Sequence, residues 1–181
     1  QINNYLNLTS ANSINIARWL PQMFYYFICY KSLLKLNKKL IFSVPSGNFG
    51  NLTGGLLANR MGVPVEKFIA ATNANDTFPH FLSSGTIQHQ DAVQTISNAM
   101  DVSVPSNFDR IQNLFQDDVK QLKVEISSWS FPDKDTKESI RNIQNEFGYL
   151  IDPHTAVGVL GLVAREIRDS VHYAVEEAGE C

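Results

Sequence analysis

The sequence predicts an α/β fold, a parallel sheet with helices packed on it. Three features lead there. The apolar run Leu40, Ile41, Phe42 and Val44 reads as a buried strand that Pro45 ends by withdrawing a backbone donor. A glycine-containing turn comes next, followed by a helix over Leu52 to Met61, and a second apolar strand spans Lys67 to Ala71. Strand, helix and strand joined by short connections are the pattern of parallel pairing.

The elements follow in order. Residues 13 to 35 read as one helix capped by Asn12 or Ser13, with Ile16, Leu20, Met23, Phe24 and Phe27 as an apolar stripe and Pro21 as a point of kinking. After the first strand, the helix to Met61 should stop at Gly62, with Pro64 preventing continuation. Beyond the second strand, residues 73 to 106 lose periodicity apart from a short helix near Thr77 to Leu82, and long irregular segments in compact proteins are often functional. Phe108, Ile111, Phe115, Val119 and Leu122 mark a single amphipathic helix, and Glu125 to Asp133 reads as an exposed connection. A further helix begins at Asp135, with Glu138 three residues on, and ends at Phe147 before Gly148. The last starts with Asp152 as cap and Pro153 at its first position, with Ala156, Leu160, Val163 and Ile167 as its apolar face.

Chemistry is concentrated in Ser46-Gly47-Asn48-Phe49-Gly50-Asn51. Gly47 and Gly50 permit close backbone approach, and the following amides sit at a helix start, where they have no internal acceptor and suit an anion. An ATP-type loop would need Gly-Lys followed by Ser or Thr, and no lysine lies between Lys39 and Lys67. A dinucleotide fold would want Gly-x-Gly-x-x-Gly and an acidic residue at the end of the next strand, where Thr72 and Asn73 stand instead. Spacing alone leaves two readings, an anion cradle and a plain turn whose glycines permit tight packing.

The full string Val44 to Asn51 resembles the cofactor-phosphate loop of the threonine synthase family, pyridoxal-phosphate enzymes of fold type II. So do, in the same order, Asn12-Ser13-Ile14-Asn15-Ile16-Ala17-Arg18, the run Ile69 to Thr77, Ser97-Asn98-Ala99-Met100-Asp101-Val102 and Pro153-His154-Thr155-Ala156-Val157. The resemblance implies a three-layer fold, with helices on both faces of the sheet, and pyridoxal 5'-phosphate as cofactor. It also implies conversion of O-phosphohomoserine and water to threonine and phosphate. Residues 1 to 181 then form a portion of the cofactor-binding catalytic region, with 73 to 106 lining the cleft.

By the same resemblance Gly47, Asn48, Phe49, Gly50 and Asn51 surround the cofactor phosphate. Asn15 and Arg18 are substrate-binding candidates, Arg18 as partner of a phosphate or carboxylate; the bland alternative is a helix cap and a surface charge. Asn73, Asn75 and Asp76 lie past the carboxyl end of a strand, where open α/β sheets take ligands, although Asn and Asp also favour turns for local reasons. Ser97 and Asn98, with Asp101, either line the cleft or satisfy loop backbone. His80 and His154 are candidate acid-base groups, with a structural role as the plainer reading of His154.

The family's catalytic lysine lies upstream of these segments in a Phe-Lys-Asp context that the chain lacks, and the family continues past the last match into a Thr-x-His-Pro segment also lacking here. The chain is therefore expected to be an internal or carboxyl-side portion, with no catalytic residue of its own and inactive alone. The competing reading is a non-catalytic relative or isolated module that binds pyridoxal phosphate, another anion or a protein.

Composition narrows the partners. The 181 residues are 44% hydrophobic, ample for a core, and the net charge of −3 from 15 basic and 18 acidic residues gives no footprint for nucleic acid or an anionic membrane. Lys31, Lys35, Lys38 and Lys39 read as a solvated helix end. No stretch has the length of a membrane span and no His/Cys spacing suggests a metal. Cys29 and Cys181 do not make a disulfide framework, which suits the cytoplasm. Small-molecule substrate, self-association and the remaining parts of a longer chain are the expected partners, with no nucleic acid and no membrane.

Overall fold

Three parallel strands, β1 (Leu40–Pro45), β2 (Val65–Thr72) and β3 (Ile126–Ser130), lie side by side in chain order. The computed structural model describes residues 15–88 and 90–178, with side chains as far as residue 166. Asn12, Ser13 and Cys181 lie outside the described residues, as does the side chain of Ile167. No described helix is long and apolar enough to cross a membrane.

Alternation along the strands sorts side chains onto two faces. Val44, Phe68 and Ala70 point to one face and join the core with Leu52 and Leu56 of α3 (Gly50–Arg60) and Met23 and Tyr26 of α2 (Met23–Leu33). Ser43, Pro45, Ile69 and Ala71 point to the other, against α8 (Pro153–Ala178), which α7 (Asp133–Phe147) buttresses. Helices therefore cover both faces, as the three-layer expectation requires. α8 comes close because two of its residues are glycines. A methyl on Gly161 would lie 2.7 Å from the Ser43 hydroxyl and 2.9 Å from the Ile69 side chain, and Ser43 donates to the Gly158 carbonyl at 2.6 Å.

The first helical stretch is segmented. α1 (Ile16–Trp19), capped by the Asn15 side chain on the Ala17 amide, passes through a 3-10 turn at Leu20–Gln22 into α2. Pro21 sits inside that turn, so the expected kink is a local tightening. The expected stripe is shifted. Trp19, Met23 and Tyr26 are the buried residues, whereas Ile16, Leu20 and Phe24 are exposed. α2 is apolar on nearly every side, so composition could not say which side packs; contact with α3 decides it. Trp19 lies beneath the Arg110 guanidinium, 5.8 Å from its ring centre.

α3 begins at Gly50, two residues before the expected start, and ends where Gly62 takes a φ of 109° and returns its amide to the Asn59 carbonyl. α4 (Thr77–Ser84) holds Phe78, Phe81 and Leu82 in the core. The helix expected from Phe108 to Leu122 is two, α5 (Phe108–Leu114) and α6 (Val119–Glu125). Gln116 and Asp117 between them adopt positive φ values of 50° and 59°, and Asp118 caps α6 through the amides of Lys120 and Gln121. Apolar spacing continues across the break because both halves face one core, which is why periodicity hid it.

The exposed connection expected at Glu125 to Asp133 is instead β3, whose Ile126 is buried opposite Phe68. Its polar letters disguised it: Ser128 satisfies its hydroxyl on the Ala70 carbonyl at 2.6 Å, so serine is accommodated within the sheet. α7 starts at Asp133 rather than Asp135, because Asp135 and Thr136 give their amides to the Pro132 carbonyl. Gly148 ends it with a φ of 67°. In α8, Ala156 and Val157 are buried as the apolar face, but Val163 is exposed and the inward side continues through Gly161.

Gly55 tests the packing of α2 on α3. A methyl there would lie 2.5 Å from the Tyr26 ring and 2.8 Å from Phe68. The Tyr26 hydroxyl is tied to Asn51, so the ring cannot retreat freely. Gly55→Ala should lower stability by about 1–3 kcal/mol, the usual range for overpacking, measured by urea unfolding against the parent chain.

Candidate functional site

The register that pairs Pro45 with Ala71 brings the carboxyl ends of β1 and β2 to one edge, and the Ser46 amide extends the pairing with a 2.8 Å bond to the Ala71 carbonyl. Ligands of open parallel sheets bind at such an edge. The turn from Gly47 leads from it into α3. Phe49 occupies the cap position with φ 61° and ψ 14°, an unfavourable backbone for a side-chain-bearing residue. Its ring compensates by burial, 4.6 Å from the Phe78 ring centre. The first intrahelical bond runs from the Thr53 amide to the Phe49 carbonyl at 2.9 Å. The amides of Gly50, Asn51 and Leu52 precede it and form the helix's amino-terminal donor group.

Side chains of the turn are committed elsewhere. Asn48 accepts through Oδ1 from the Ser106 amide at 3.2 Å and hydroxyl at 3.1 Å, while the Asn107 side chain donates to the Asn48 carbonyl at 2.8 Å. Asn51 accepts from the Tyr26 hydroxyl at 2.6 Å and donates to Gln22 at 3.0 Å. Burial pushes the Tyr26 phenol above its ordinary value, so it is a lasting donor at neutral pH. The backbone amides at the head of α3 remain as donors at the turn. Helix-start amides with no acidic side chain in the turn fit a phosphate.

A loop packs over this turn. A methyl on Gly47 would lie 2.8 Å from the Met100 Cα and 3.0 Å from the Ala99 carbonyl oxygen, so Gly47 is required by this approach. The loop contains a 3-10 turn at Asn98–Met100, and Met100 is buried with Ala71 and Val157. Asn98 is exposed and Ser97 buried.

The polar residues after β2 form a connected group. Asn73, fully buried, donates to Thr95, to the Ser97 carbonyl and to Asp101, and accepts the backbone and side-chain amides of Asn75. Asn75 pairs with both backbone groups of Val93, and Asp101 accepts the Thr95 amide at 3.0 Å and hydroxyl at 2.7 Å. This cluster fixes the irregular segment against the end of β2. Asp76 stands immediately before α4 and makes no side-chain cap, its carbonyl accepting from His80. Asn15 caps α1, and Arg18 is exposed in the last turn of that helix.

The expected phosphate-turn residues therefore come together, as do Asn73, Asn75 and Ser97. Asn15 and Arg18 lie on a separate element linked to α3 through Gln22. Sequence reasoning missed Thr95, Asn107 and Tyr26. Asn107 had a local signal in the Pro-Ser-Asn turn before a helix, whereas Thr95 and Tyr26 act through contacts distant in sequence. Among the described residues, no three His, Cys, Asp or Glu side chains gather as a metal site would require.

At the start of α8, Asp152 accepts the amides of His154 and Thr155 and the Thr155 hydroxyl. His154 faces Asp152 with Nδ1 at 3.1 Å and accepts the Ala99 amide at Nε2, 3.3 Å away.

No family model matches the chain. Its sequence is 49% identical over 163 residues to threonine synthase of Serratia marcescens, covering 90% of this chain and 38% of that protein. It is 36% identical to threonine synthase of Saccharomyces cerevisiae, covering 96% of this chain and 42% of that protein. Among solved structures, Escherichia coli threonine synthase superposes with a TM-score of 0.81 at 47% identity, over 87% of this chain and 36% of that one. Pyridoxal-phosphate-bound threonine synthase of Brucella melitensis gives 0.81 at 35% identity, over 88% and 39%. A fungal L-serine ammonia-lyase at 15% identity and 0.65 shares the fold. The chain is thus similar to part of the threonine synthases, with the architecture of fold type II enzymes, and spans about two-fifths of the length of these relatives.

The α8 cap has a pH signature. The Thr155 hydroxyl, with the Thr155 and His154 amides, holds the Asp152 carboxyl at about 2, below its ordinary 3.8. A depressed carboxyl stabilises the fold above its unfolded value and loses that contribution as pH falls through its folded value. Asp152 is solvent-exposed, so the effect is modest. Asp152→Ala should cost about 1 kcal/mol at pH 7. The gap between variant and parent in urea unfolding should close as pH drops from 4 toward 2.

Proposed function

We propose that this chain is part of a threonine synthase and that residues 47–51 hold the phosphate of its cofactor, pyridoxal phosphate. The observation that carries this reading is the turn itself. Phe49 is set in a left-handed conformation at the head of an eleven-residue helix, while Asn48 and Asn51 turn their side chains to other partners. Backbone amides then meet the anion, and the identity to the relatives supports the threonine synthase part of the reading.

When bound, pyridoxal phosphate supplies an electron sink. The protein's part is to hold it and orient the substrate. The amides of Gly50, Asn51 and Leu52 would hold the phosphate at the positive end of the α3 dipole. Phe49 anchors the turn through its buried ring. Asn48 fixes it from the other side through Ser106, so the donors are arranged before any ligand arrives. That preorganisation lowers the ordering cost of binding.

In this reading the substrate is O-phosphohomoserine and the products with water are threonine and phosphate. Arg18 and Asn15 reach the substrate from α1. Asn73, Asn75, Asp76, Ser97 and Asn98 belong to the segment 73–106 that lines the cleft, and the group centred on Asn73 holds this lining in place. A cytoplasmic setting goes with that role. The proton-handling lysine comes from another part of the parent enzyme, because no lysine here stands in a Phe-Lys-Asp context.

Two measurements test the proposal. Gly50→Val should weaken pyridoxal-phosphate binding at least about tenfold by blocking backbone approach, read by absorbance titration; unchanged affinity would remove the turn from the cofactor site. Separately, borohydride reduction of the chain mixed with pyridoxal phosphate should leave no single stoichiometric lysine adduct by mass spectrometry. O-phosphohomoserine should release no phosphate with this chain alone. One defined adduct accompanied by turnover would show that the chain carries its own catalytic lysine.

A further inference from the structure

We propose that His154 is a positioning residue for the turn at 47–51, acting through the backbone of Ala99 and Met100. The inference rests on reading that turn as the cofactor-phosphate cradle.

The geometry determines the state of the imidazole. Nε2 lies 3.3 Å from the Ala99 amide nitrogen, and a backbone amide only donates, so Nε2 must present its lone pair. The ring proton then sits on Nδ1, facing Asp152 Oδ1 at 3.1 Å. Asp152 is itself fixed by three donors, the amides of His154 and Thr155 and the Thr155 hydroxyl. A carboxylate held in this way selects both the tautomer and the orientation of the imidazole.

What the imidazole holds is the segment that touches Gly47. The Ala99 carbonyl and Met100 Cα stand where a methyl on Gly47 would be 3.0 and 2.8 Å away. Met100 returns its amide to the Ser97 carbonyl at 2.9 Å and is buried beside Val157, one turn along α8 from His154. The 98–100 turn is therefore wedged between the helix start and the glycine turn. Asn73 holds the residues on either side of that turn, Ser97 and Asp101, while His154 grips the residue between them whose carbonyl meets Gly47. Loss of that grip lets the wedge withdraw, and the turn at 47–51 loses the surface it is packed against.

The experiment compares His154→Gln with His154→Asn. The glutamine amide oxygen reaches the position of Nε2 and can accept from Ala99; the asparagine side chain reaches only as far as Nδ1. Ala99 amide exchange is followed by NMR, and pyridoxal-phosphate affinity by absorbance titration, on the chain and on a longer protein containing it. His154→Gln should match the parent in both. His154→Asn should exchange Ala99 about tenfold faster and bind the cofactor about fivefold more weakly, the scale of one net hydrogen bond. Equal behaviour of the two variants, whether both impaired or both unchanged, would overturn the proposal, since a role in packing alone does not distinguish them. If the parent itself binds no pyridoxal phosphate, the cradle reading falls and with it the link to the cofactor. Ala99 exchange would still decide whether His154 holds the loop.

Discussion

Pro45 lies beside Ala71 in the sheet, and the Ser46 amide continues the ladder one step further to the Ala71 carbonyl. That shared end has two exits. One turns through Gly47 into α3; the other runs through Asn73 into the irregular segment. Because the strands are parallel, both exits open on the same edge, and residues from distant parts of the chain meet there without a long connection crossing the sheet. A shift of β1 by one residue would exchange its inward and outward side chains, placing Val44 against α8 and Ser43 in the main core. Register therefore fixes the location of the site as well as the composition of both layers.

Glycine sets the separation between the layers. Gly55 admits the Tyr26 ring, Gly161 admits the Ser43 hydroxyl and the side chains of β2, and Gly47 admits the backbone of Met100. The neighbours are an aromatic ring at Gly55, a hydroxyl and two aliphatic side chains at Gly161, and main chain at Gly47, each of which a methyl would displace. Tyr26 is the clearest case: its ring fills the space over Gly55 while its hydroxyl holds Asn51 at the head of α3. Packing and site geometry are thus linked through one side chain.

The strands β1 and β2, the glycine turn and the caps Gly62, Gly148 and Asp152 were legible in the sequence because local chemistry determines them. β3 was not. Its Ile126-Ser127-Ser128-Trp129-Ser130 composition resembles a loop until β2 supplies a carbonyl for Ser128 and a facing Phe68 for Ile126. The break between α5 and α6 was hidden for the opposite reason, an apolar period that continues across a turn. At the candidate site, the turn at 47–51 and the helix it opens were legible from their own string. The commitment of Asn73 and Asn75 to Thr95, Val93 and Asp101 was not, since nothing near residue 73 indicates which segment will return to it.

The two tryptophans sit in contrasting surroundings. Trp19 is buried between α1 and α3, with its indole nitrogen lacking an acceptor among the described residues, and has the Arg110 guanidinium over its ring. Trp129 is half-buried on the outer strand. Indole emission follows local polarity, so the pair gives the protein two intrinsic fluorophores of different colour, one attached to the helix layer and one to the sheet margin. Single-tryptophan forms would let light distinguish loosening of one layer from fraying of the other, with no label added.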